Sequence, residues 1–215
     1  MTDNLFEAQY DVTKRSRLKK FYKSNKIFIF SLIFILVIFY GSFSFYFESK
    51  EKKKILLSEN YLQAKIYLEG GDKNKAMNLL KQVIFANDPT YSSLCLFLLM
   101  NEKLITDHKE LSDLFDHLLA NNDFSREVRN LLIYKKALLS SNFVNESELL
   151  ESIRPLLNTE TLWKAHGLLL LGDYFVSKKE YIKAVEFYQK IFTIKNLQKD
   201  LYNHAGSQLA MIENE

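Results

Sequence analysis

Between Ile27 and Phe47 the chain reads IFIFSLIFILVIFYGSFSFYF, without a single charged residue. As a helix rising about 1.5 Å per residue, this run spans about 31 Å, close to the ~30 Å hydrocarbon core of a bilayer. Asn25 and Lys26 bound it on one side and Glu48 to Lys50 on the other. It has no polar stripe of the kind a core helix keeps for its exposed side. The run therefore predicts one transmembrane helix over 27–47 and divides the chain into a short segment, 1–26, and a larger part, 48–215. Tyr46 near its end suits a membrane interface.

Charge bears on orientation. Seven of the 29 basic residues precede the apolar run (Lys14, Arg15, Arg17, Lys19, Lys20, Lys23 and Lys26), against Asp3, Glu7 and Asp11. Four lysines (Lys50, Lys52, Lys53 and Lys54) follow it. The excess before the helix favours a cytoplasmic N-terminus. A cleaved signal peptide is the competing reading, with Ser42-Phe43-Ser44 as a small-x-small site. The apolar run is longer than such leaders use and continues through Phe47.

Residues 48–215 hold the remaining 22 basic side chains against 23 acidic ones, so this part is near neutral and has no basic face for nucleic acid. Six glycines and two prolines in 215 residues leave few breakers. Apolar-periodic segments separated by short polar breaks argue for an all-helical domain. Helices are expected near 50–69, 73–86, 91–105, 108–120, 125–140, 145–157, 160–176, 180–195 and 199–213. Asp72, Asp107 and Ser125 stand where N-caps would, and Pro89 follows the second helix. Cys95, the only cysteine, lies in an apolar run and reads as a buried small hydrophobe; no intramolecular disulfide is possible.

Short helices joined by tight turns suggest an α-solenoid, and the segment HGLLLLGDYFVSKKEYIKAVEFYQKIFTIKN from His166 carries a repeat. Leu168, Leu171, Gly172 and Phe175, then Ala184, Tyr188 and Ile191, fall where the tetratricopeptide repeat has its large and small residues. Gly172 and Ala184 would let two helices cross closely, with Phe175, Tyr181 and Tyr188 filling the space around them. A second copy begins near Leu57, with Ala64, Tyr67, Ala76, Leu80 and Val83 in matching places and Gly70-Gly71-Asp72 as its turn. The middle pairs, 91–120 and 125–157, keep the rhythm and lose the motif; Glu146 replaces the small alanine, although Phe143 matches Tyr181. Residues 199–213 read as a terminal cap.

The chain thus resembles a membrane-anchored tetratricopeptide protein. With its basic run KKFYKSNK, one anchor and a degenerate repeat domain, it is similar to ancillary subunits of the bacterial SecYEG translocon. That resemblance implies an inner-membrane protein whose 48–215 domain of about four helix pairs lies in the periplasm. It implies partners among the translocon, exported chains and periplasmic chaperones. In tetratricopeptide repeats the concave groove is lined from the first helix of each pair. Here that implies Ser58, Tyr61, Lys65 and Leu68 in one copy, and His166, Leu169, Asp173 and Val176 in the other. An envelope-assembly or cell-division scaffold with one fixed partner is the alternative.

Chemistry finds no foothold in the sequence. The histidines (His108, His117, His166 and His204) lack the i, i+4 spacing of a helical metal pair. Gly70-Gly71 is too short to cradle a phosphate, and Glu110, Asp113 and Asp116 read as a solvated helix edge rather than a calcium loop. Trp163 reads as core at the start of its helix. No catalytic residue, metal or cofactor is expected.

Overall fold

The computed structural model describes residues 20–159 and 161–214. Among these the chain forms helices and no strand. Most of the basic segment expected to set topology lies outside the described residues. The helices are α1 (Lys26–Glu69), α2 (Lys73–Phe85), α3 (Pro89–Asn101), α4 (His108–Asn121), α5 (Arg126–Ser140), α6 (Glu146–Leu157), α7 (Leu162–Ser177), α8 (Tyr181–Phe192) and α9 (Lys199–Glu213). The chain divides into two compact units, Met1–Leu56 and Leu57–Glu215.

In the first unit, α1 is long and apolar enough to cross a membrane, and its most apolar window is entirely unburied. Phe39, Phe43 and Phe47 form a ring ladder along one side, with centroids 6.4 and 4.5 Å apart. Lys50 Nζ lies 4.8 Å from the centre of the Tyr46 ring. The sequence pattern predicts a separate helix beginning near residue 50. Instead α1 is continuous to Glu69. The lysine-rich stretch does not interrupt the helix, because Lys and Glu are good helix formers. Glu48 and Lys52 also pair one turn apart, at 2.7 Å.

In the second unit the helix starts follow short polar side chains. Asp72 accepts from Lys75 N–H, Asp88 from Thr90 and Tyr91, Asp107 from Lys109 and Asn145 from Glu148. Ser125 holds the N-cap position of α5 but makes no capping bond with its side chain. Gly71 adopts φ +80° in the turn after α1, a conformation that glycine enters at little cost. Pro89 opens α3, where its missing N–H has no helical partner to lose.

Consecutive helices from α2 to α9 pack on one another. In addition α2 meets α4, α5 meets α7, and α7 meets α9. Two hydrophobic clusters result. Leu57 and Ala64 of α1 join Leu80, Ile84, Leu96 and Phe115 in one, which Leu132 of α5 closes. Ala137 of the same helix begins the other, which runs through Ile153, Leu171, Phe175 and Tyr188 to Ala205. Cys95 is fully buried in the first cluster. Ion pairs between helices decorate the surface: Lys81 with Glu110, Lys136 with Asp116, and Lys183 with Glu146. The acidic edge of α4 is thus a solvated face that reaches to its neighbours. Such exposed pairs contribute at most about 1 kcal/mol each.

Candidate functional site

Two of the residues expected to line a groove, His166 and Asp173, lie on α7, two helical turns apart. Side chains from α5, α8 and α9 meet them there. The ring of His166 is 5.5 Å from Tyr134 of α5 and 5.5 Å from Trp163, and Tyr134 and Trp163 are 5.9 Å apart, so the three rings form a triangle. All three are half-buried. Trp163 Nε1 donates to Glu127 Oε2 across 2.7 Å, tying the start of α7 to the start of α5. The sequence places Trp163 in the core at the start of its helix; it is half-buried and packs against the core cluster there, with its polar atom facing an exposed carboxylate.

Asp173 stands on the other side of His166. Its Oδ1 accepts from the hydroxyl of Tyr188 at 2.7 Å and lies 3.6 Å from His204 Nε2 of α9. Burial, and then the hydrogen bond to Asp173, push the Tyr188 phenol well above its ordinary range. Burial, and then the charge of Asp173, also raise Tyr134, so the carboxylate is felt across the ring cluster. Burial lowers His166, which favours its neutral form.

The remaining expected residues are placed differently. Leu169 is 8% exposed and belongs to the hydrophobic cluster that α7 shares with α8 and α9, so it is core and offers no surface to a partner. The reason is that α7 is apolar on nearly every side, Leu168 to Leu171 all being buried. Tyr61 packs against the other cluster, Lys65 is exposed, and Leu68 and Ser58 are half-buried, all on α1. The α1 set therefore borders the α1–α5 cluster and the α7 set the α5–α9 cluster; the structure does not bring them together.

Sequence reasoning did not single out Glu127 and Tyr134. They are seven residues apart and so share one stripe of α5, but that helix lacks the repeat motif and nothing in its spacing marks them. Beside Glu127 a cleft of about 540 Å³ opens between the starts of α5 and α7 and the loop before α9, lined by Arg126, Leu162, Ala165, Ile194 and Leu197 among others. Among the described residues no group of three or more His, Cys, Asp or Glu side chains could hold a metal ion. Compared with family models, curated proteins and solved structures, the chain matches none.

Proposed function

We propose that this chain is a single-pass membrane protein whose helical domain binds segments of other proteins along the α5–α7–α9 face. The observation that carries the reading is the gathering of Glu127, Tyr134, Trp163, His166 and Asp173 on that face. Rings and carboxylates left half-open to solvent are what a protein-binding surface uses, since aromatic side chains give contact area at small entropic cost. Support for a tetratricopeptide-like solenoid comes from the contacts of α5 with α7 and of α7 with α9, and from the close crossing of α7 and α8 at Gly172. In such an array the first helices of successive pairs form one surface.

In this reading the N-terminus is cytoplasmic, α1 anchors the chain in a bacterial inner membrane, and the domain lies in the periplasm. The protein acts there as an ancillary subunit of the export translocon, meeting exported chains or their chaperones. Binding of this kind requires no cofactor and no catalysis.

Site-specific photocrosslinking in native membranes tests the proposal. A photoreactive residue would replace Leu162, which is exposed at the start of α7, or Ile182, which is 83% exposed on α8. Crosslinks from position 162 to translocon subunits and many exported chains are expected. One constant partner at that position would instead make the protein a dedicated envelope scaffold. Crosslinks from position 182 alone would remove binding from the α5–α7–α9 face.

A further inference from the structure

We infer that the α5–α7–α9 face recognises a basic side chain, arginine or lysine, on the bound peptide segment, held over the Tyr134–Trp163–His166 rings between the carboxylates of Glu127 and Asp173. The inference rests on the binding function proposed above and supplies its chemistry.

Charge complementarity sets the choice of occupant. The faces of aromatic rings carry partial negative charge and attract cations, and the attraction grows as water is removed. Three such rings lie in mutual contact here. They pack too closely for a cation to enter between them; all three are half-buried, which leaves part of each ring to solvent. Two carboxylates adjoin the rings along α7: Glu127 of α5, bonded to Trp163, and Asp173, two turns beyond His166. Their side chains are 63% and 42% exposed, so both remain accessible to a ligand.

Each carboxylate is also aimed by a hydrogen bond from the protein. Trp163 Nε1 holds Glu127 by Oε2, and the Tyr188 hydroxyl holds Asp173 by Oδ1. Among the described residues no hydrogen bond falls on Asp173 Oδ2; His204 Nε2 lies 3.6 Å from Oδ1, and an incoming cation competes with that histidine when it is protonated. Arg126 Nε lies 3.8 Å from Glu127 Oε1. That pair is highly exposed, and an exposed pair at this distance is weak enough for a ligand cation to compete with it. His166 does not oppose a cation when neutral, the form its burial favours. The cleft beside Glu127 offers room for the peptide to continue past the rings.

Trp163 is the only tryptophan in the chain, so its fluorescence reports on this face alone. The full-length protein in nanodiscs of uncharged lipid would be titrated with a short, end-capped peptide carrying one arginine among uncharged residues. A second peptide would carry citrulline, which keeps the shape and loses the charge. The arginine peptide should shift the emission saturably, and the citrulline peptide should bind about tenfold more weakly or worse. Glu127→Gln and Asp173→Asn each keep an oxygen for Trp163 or Tyr188, and each should weaken the arginine peptide several-fold and by more than it weakens the citrulline peptide, so that the preference for arginine shrinks. Added salt should lower the affinity of the arginine peptide only.

Equal binding of the two peptides would overturn the inference and leave the binding face standing. Absence of any peptide binding, with crosslinks from position 162 intact, would also overturn it, since the face would then engage its partners without a cation. Absence of both would bring down the inference and the proposed function together.

Discussion

A Cβ built on Gly172 stands 2.3 Å from Cε1 of Tyr188, well inside van der Waals contact. The tyrosine has little freedom to yield. It is fully buried and its hydroxyl is bonded to Asp173, the residue next to the glycine. Gly172→Ala should therefore destabilise the domain by about 1–3 kcal/mol through overpacking. Gly206 of α9 provides the control, because a Cβ placed on it meets nothing within 4 Å. Gly206→Ala should stabilise by about 0.5–1 kcal/mol, as expected for a helix interior. Denaturant melts of the two variants should move in opposite directions; equal shifts would mean that α7 and α8 do not cross closely here.

His166 should make the domain sensitive to mild acid. Burial lowers its folded pKa below the ordinary value of about 6.5. The unfolded chain then binds more protons between the two values, so this contribution to stability is present above the unfolded pKa and is lost as pH falls towards the folded one. His166→Gln should flatten that part of the pH–stability profile. Thermal melts of both proteins across the acidic range would check this, and parallel profiles would assign the acid sensitivity elsewhere.

Cys95 should resist thiol reagents in the folded protein. Its side chain is fully buried, and burial pushes the thiol up to about 12, so almost no thiolate exists at neutral pH. Labelling should be slow in buffer and fast in denaturant. Because no other cysteine is present, the labelling rate also reports opening of the α1–α5 cluster. Rapid labelling under native conditions would show that this cluster opens readily.

The apolar part of α1 should keep the protein in membranes through an alkaline carbonate wash. Replacing Ile35 and Leu36 with arginine should cost about 2.5–3.5 kcal/mol each for insertion, and the double variant should appear in the soluble fraction. Retention of the double variant in the membrane would mean that something other than this helix holds the protein there.

The α5–α7–α9 face was only partly legible in the sequence. His166 and Asp173 could be named because α7 carries repeat spacing, and local spacing is enough to group residues on one helical stripe. Leu169 could not be separated from them. It follows a run of leucines in which every direction is apolar, so periodicity marks no open side. Its burial is decided by how the neighbouring helices of the α5–α9 cluster pack on α7, which spacing within α7 does not encode. Glu127 and Trp163 are 36 residues apart, and nothing in the spacing of either announces their hydrogen bond.

The sequence by itself determined the features that rest on neighbouring residues. Helix starts at Asp72 and Asp107, the glycine turn at Gly71, the apolar length of α1 and the small residue at Gly172 all follow from short-range sterics and hydrogen bonding. The tertiary structure decided the rest. It ran α1 unbroken past the lysines, divided the apolar residues into two clusters joined through α5, and brought the Tyr134, Trp163 and His166 rings together between two carboxylates. The physical reason is that helix periodicity specifies a stripe, whereas helix packing chooses which stripes are covered, and that choice is made between elements far apart in the chain.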